Sequence, residues 1–190
     1  MKDLTAYLKR VKAKEIGFNI EDEAECLKAL RADGCLIRLI ANPTEEMKLI
    51  AVKRDYMAIR YIENPSEEVQ RYCVDKEPTT IEFIENPIEE VQLEAIDYAS
   101  YIFEQINNPT ERVQLISVGV DGLMIQHIED PSEAVQLEAV RSDFFALQYI
   151  ENPTDKVLID AAHNGGSVVV KYIDIDSLSE ETKEVLIYLV

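Results

Sequence analysis

Few side chains in this chain of 190 residues have the type and spacing that catalysis requires. The two histidines, His127 and His163, stand outside any HExxH or paired-cysteine pattern, the spacings by which a helix or a pair of loops grips zinc. The three cysteines, Cys26, Cys35 and Cys73, are odd in number and lack metal-ligand spacing, so they read as free thiols in a reducing compartment. No glycine-rich phosphate loop is present, and Ser, His and Asp never form a nucleophile-elbow pattern. Adjacent carboxylates such as Glu67-Glu68 and Glu89-Glu90 could divide general acid and base work between them. Their recurrence, however, falls where helices are expected to start, and there negative charge is favoured by the exposed backbone N–H groups. The expectation is a protein with no catalytic residues, no cofactor and no metal.

The elements that must carry these residues announce themselves by period. Pro43, Pro65, Pro87, Pro109, Pro131 and Pro153 lie 22 residues apart, each preceded by Asn or, once, by Asp130. A fixed period of this length marks a repeat protein. With the proline as slot one, slot five is Met47, Val69, Val91, Val113, Val135 and Val157. Slot nine is small: Ala51, Cys73, Ala95, Ser117, Ala139 and Ala161. Slot twenty is Ile62, Ile84, Ile106, Ile128 and Ile150. A further unit begins upstream with Glu21 in place of proline.

Slots five, nine and ten share one helix face, which predicts a helix over slots two to eleven. Asn at the cap, Pro at the first helical position and Glu two residues later make a capping arrangement, with Ser or Thr as the other candidate cap. Slots sixteen, seventeen and twenty predict a second, shorter helix after a turn that holds Asp33-Gly34 or Asp121-Gly122 in two units. Helices this short cannot bury their own apolar faces, so units must stack. The fold class is then all-α: an α-solenoid of about seven two-helix repeats over residues 20–174. Capping helices are expected at 1–19, through Leu4, Tyr7, Leu8 and Val11, and at 175–190, through Val185, Leu186 and Leu189. At slot six, Gln70, Gln92, Gln114 and Gln136 fall within the apolar arc. Two readings apply, a ladder of amides bonded to backbone at the repeat junctions or amides at the rim of the arc.

The string DPSEAVQLEAV resembles the first helix of HEAT-like repeats, and the short period is similar to leucine-rich-variant repeats and to uncharacterised NPSEEVQLxAV arrays of bacteria and phages. The resemblance covers roughly residues 20–174. It implies an interaction scaffold and brings no catalytic residue with it.

Charge is the remaining signal. Residues 1–60 hold 12 Lys or Arg against 10 Asp or Glu, whereas residues 61–190 hold 7 against 27, a net of −20. Beyond the helix-start acids, Glu63, Glu85, Glu129 and Glu151 recur at slot twenty-one, and Glu82 and Glu104 at slot eighteen. With Tyr61 and Tyr149 at slot nineteen, they form the candidate surface for a partner; His127, also at slot nineteen, is expected to be a surface position. A spacing of about 10 Å between stacked helices gives roughly two-thirds of the linear charge density of duplex DNA. This face therefore suits a basic or nucleic-acid-binding protein rather than nucleic acid itself. The alternative is a nucleic-acid mimic, an inhibitor of a host nuclease of the kind phages and mobile elements encode. No apolar run approaches the roughly 20 residues of a membrane span, and no signal peptide is evident, which suggests a cytoplasmic chain.

Overall fold

The computed structural model describes residues 2–173 and 178–189, with side chains from Tyr7 onward. Leu4's side chain, the end of the expected repeat span at 174 and the first residues of the expected C-terminal cap, 175–177, lie outside the described residues. Among those described, every regular element is helical. The chain forms two compact units, residues 1–108 and 109–190.

The first unit runs α1 (Lys2–Ile16), α2 (Glu23–Ala32), η1 (Gly34–Leu39), α3 (Glu45–Arg54), η2 (Tyr56–Tyr61), α4 (Glu67–Lys76), η3 (Pro78–Phe83), α5 (Glu89–Tyr98) and η4 (Ser100–Gln105). The second runs α6 (Glu111–Val120), η5 (Gly122–His127), α7 (Glu133–Ser142), η6 (Phe144–Tyr149), α8 (Asp155–Gly165), η7 (Gly166–Tyr172) and α9 (Glu180–Leu189). The η elements are 3₁₀ helices, so the expected second helix is the tighter i to i+3 form. Within each unit, successive α helices from α2 onward pack side by side, and so do successive η helices, while α1 packs against η1.

Cap chemistry sets the boundaries. The α helices start at slot three, not slot two, and the residue after the proline is the N-cap: Thr44 Oγ1 accepts from Met47 N at 3.3 Å and Ser132 Oγ from Val135 N at 3.4 Å. The asparagine is thus not the cap, and the proline precedes the helix. Asn64, Asn108 and Asp130 instead take φ of 47°, 51° and 53°, a left-handed turn that Asn and Asp tolerate better than other side-chain-bearing residues. Each α helix of the first unit's repeats ends when slot thirteen turns extended, as at Asp55 with φ −151°. That same side chain then caps the 3₁₀ helix, Asp55 Oδ1 accepting from Met57 N at 3.0 Å. Asp33, Asp121 and Asp143 do likewise at 2.9, 3.0 and 2.9 Å. Gly122 follows such a cap for reasons of space rather than turn geometry, since a Cβ there would lie 2.4 Å from Ala139 O.

The apolar slots face inward as expected. Val69, Val91, Val113, Val135 and Val157 are fully buried, as are Ala51, Cys73, Ala95, Ala139 and Ala161 at slot nine. Full burial of a valine side chain contributes roughly 1.5–3 kcal/mol. The terminal helices differ from expectation. Tyr7, Leu8 and Val11 are exposed, and the residues buried at this end are Ala13 and Phe18. In α9 Leu186 is buried and Val185 exposed, while Thr182 Oγ1 anchors the helix by donating to Asp155 Oδ2 at 2.5 Å. His163, Asn164 and Gly165 continue α8, and the helix is capped at Gly166 with φ 54°.

Candidate functional site

Slot six shows how a polar group is kept inside the apolar arc. Gln70, Gln92, Gln114 and Gln136 each donate through Nε2 to the carbonyl of their own repeat's proline, at 3.0, 2.7, 2.9 and 2.9 Å. Gln70 Oε1 also accepts from Ile88 N of the following repeat at 3.0 Å. The amides of Gln70 and Gln92 are buried, and those of Gln114 and Gln136 half-buried. Both readings of this slot thus hold in part. Gln70 and Gln92 each join two repeats, Gln92 Nε2 also donating to Asn108 O at 3.5 Å, and Gln114 and Gln136 sit nearer the rim.

Each 3₁₀ helix turns slot seventeen, and in most repeats slot sixteen, inward, as Ala58 and Ile59 or Ala146 and Leu147. It turns slot eighteen outward, with slot twenty-one following the buried isoleucine. Within the first unit Tyr61, Glu63, Glu82, Glu85 and Glu104 are exposed. Within the second, His127, Glu129, Tyr149 and Glu151 are exposed. Among the described residues, no Lys or Arg forms an ion pair with Glu63, Glu82, Glu85, Glu129 or Glu151.

The structure brings Tyr61, Glu63 and Glu85 together in one groove of about 400 Å³, with Arg60, Gln70 and Phe83 completing its lining. Glu82 and Glu104 belong to the same unit but not to this groove. The Arg60 guanidinium lies over the Phe83 ring, 4.7 Å from its centre, and that of Arg38 lies 5.7 Å from the centre of the Tyr61 ring. In both stacks the cation comes from slot eighteen and the ring from slot nineteen of the next repeat. Sequence reasoning passed over Arg38 and Arg60, although their separation of 23 residues from an aromatic was the available signal.

Other acids are occupied structurally. The Lys48 ammonium, 2.7 Å from Glu45 Oε1, and the Ser66 hydroxyl together hold the Glu45 carboxyl below the usual range. Ser132 donates to Glu111 at 2.6 Å and Ser179 to Asp155 at 3.1 Å, so the cap hydroxyl of one helix bonds the first-turn acid of the preceding one. Arg71 joins Glu67 in its own helix at 2.9 Å to Glu94 in the next. Burial pushes the Cys73 thiol up to about 12, and burial with a hydrogen bond to Asp55 pushes Cys35 to about 11. Neither is a ready nucleophile, because the thiolate is the reactive form.

Among the described residues no group of three or more His, Cys, Asp or Glu side chains is placed to hold a metal ion. No described helix is long and apolar enough to cross a membrane. Comparison of the chain with protein-family models, curated proteins and solved structures found no match.

Proposed function

We propose that this chain is a non-enzymatic α-solenoid scaffold that binds a basic protein partner through the carboxylates beside its 3₁₀ helices. One observation carries the reading: Glu63, Glu82, Glu85, Glu129 and Glu151 are exposed and have no basic partner among the described residues, within a stretch whose net charge is −20. Fixed charge of one sign steers an oppositely charged partner and raises its rate of association. The solenoid form is supported by the 22-residue period and by the stacking of successive helices within each unit. The resemblance of DPSEAVQLEAV to HEAT-like helices agrees with a scaffold role.

The test is replacement of Glu63, Glu85, Glu129 and Glu151 together by Gln, followed by affinity capture from nuclease-treated lysate at low and moderate salt. The positions are exposed, so the melting temperature should stay within about two degrees of wild type. Capture of the basic partner should weaken and lose much of its salt dependence, because fewer charges are neutralised on binding. A folded quadruple variant that captures the same partner equally well at every salt concentration overturns the reading. Added DNA or RNA provides a second arm, since competition for the partner would identify the surface as a mimic of nucleic acid.

A further inference from the structure

The repeats supply an internal comparison for the groove. Adding 66 residues, three repeats, to each lining position of the first-unit groove gives a matching set in the second unit. Glu63, Gln70 and Glu85 become Glu129, Gln136 and Glu151; Tyr61 becomes His127 and Phe83 becomes Tyr149; Arg60 becomes Gln126. The backbone agrees at three points, although the bond from Ile88 N to Gln70 Oε1 has no counterpart at Gln136 among the described residues. Asn64 and Asp130 have φ of 47° and 53°, Gln70 and Gln136 bond Pro65 O and Pro131 O at 3.0 and 2.9 Å, and each isoleucine at slot twenty closes its 3₁₀ helix, Ile62 N to Ile59 O at 2.9 Å and Ile128 N to Ile125 O at 3.0 Å.

In the first unit an arginine of the chain itself lies on the ring of this groove. In the second unit the ring is Tyr149, 42% exposed, and the position that would send a guanidinium over it is a glutamine. The two carboxylates remain, and so does a buried amide oxygen, Gln136 Oε1, which accepts no hydrogen bond among the described residues. An aromatic face and two acids make a receptor for a cation that is planar, stacks well and donates several hydrogen bonds, which describes guanidinium better than ammonium.

We propose that the surface formed by Tyr149, Glu129 and Glu151 takes an arginine side chain of the partner, seated as Arg60 is seated on Phe83. This assignment rests on the proposed binding of a basic protein and specifies where one arginine of that protein lands.

The test uses fluorescently labelled octa-arginine and octa-lysine peptides, titrated by anisotropy at low and moderate salt against the full chain. Wild type should prefer octa-arginine. Tyr149→Ala should weaken octa-arginine by about three- to fivefold, the scale of one exposed cation–aromatic contact, and Tyr149→Phe should restore it. Gln126→Arg carries the sharper expectation: it installs the internal cation found in the first unit, so it should block the site by a similar factor or more while the fold is unchanged by circular dichroism. Tyr98→Ala, which removes an exposed ring that is neither in the first-unit groove nor in the matching set of the second unit, should have no effect. Equal binding of the two peptides with no response to Gln126→Arg overturns the arginine site; the acidic-surface reading then stands if the quadruple glutamine variant still weakens both. If neither peptide binds wild type at low salt, both proposals fall.

Discussion

Removing the amide of Gln92 tests whether the slot-six hydrogen bonds hold the repeats or merely occupy them. Gln92 is 1% exposed and its Nε2 lies 2.7 Å from Pro87 O, the shortest of the four bonds to proline. Gln92→Ala leaves that carbonyl without its amide donor in a site closed to solvent, at a cost of about 1–3 kcal/mol. The lost side-chain volume adds roughly 1–2 kcal/mol for the cavity, giving about 2–5 kcal/mol in all. Gln92→Leu refills the volume but not the bond, so its cost should be about 1–3 kcal/mol, without the cavity contribution. Gln114→Ala provides the contrast. Its amide makes the equivalent bond to Pro109 O at 2.9 Å but is only half-buried, and water replaces the lost partner for about 1 kcal/mol or less. Urea denaturation read by circular dichroism, with slopes compared between variants, measures the global effect. Stacked repeats also open locally, so hydrogen exchange of α5 amides should show faster exchange in Gln92→Ala than in Gln92→Leu. A Gln92→Leu variant more stable than wild type, or Gln92→Ala no worse than Gln114→Ala, would refute the account.

Two further outcomes follow from burial. Val113→Asp places an unpaired carboxylate in a fully buried slot of α6, and thermal melting should show a loss of roughly 3–5 kcal/mol; an unchanged melt would mean that slot five does not face the core. Burial pushes the Cys73 thiol from its ordinary value of 9.0 up to about 12 in the fold. Its contribution to stability is therefore intact below pH 9 and lost as pH rises from 9 towards 12, because only the unfolded state gains a thiolate in that window. Urea midpoints measured from pH 8 to 11 should fall more steeply for wild type than for Cys73→Ala, and parallel curves would contradict the burial of this thiol.

The period, the inward slots and the existence of two helical elements per repeat were legible in the sequence because each is a statement about apolar spacing, and apolar spacing survives in every unit. The caps were harder to read. Asn64-Pro65-Ser66-Glu67 contains several residues able to cap a helix, and the choice turns on where the proline ring can sit, which places the helix start one residue later than spacing alone suggests. The 3₁₀ character of the second element also escaped, since six residues with two inward positions fit either helix type. Slot thirteen was read only in part. Asp33 and Asp121 were expected in a turn and Asp55 and Asp143 counted only as charge, yet each accepts a backbone N–H at the start of a 3₁₀ helix.

That omission bears on how the acidity is interpreted. Acids at slots three and thirteen are engaged in closing helices, through the hydroxyls of Ser132 and Ser179 or the backbone amides of Met57 and Phe145. These contacts are structural whatever the protein binds. The acids at slot twenty-one bond none of these groups, and Glu63, Glu85, Glu129 and Glu151 share the solvent side with aromatic rings at slot nineteen in three repeats. At Tyr61 and Phe83 the chain supplies its own cation, from Arg38 and Arg60. At Gln126 that cation is withheld while the ring and both carboxylates are kept. The difference between equivalent positions, rather than the total charge, is what the proposed arginine site rests on.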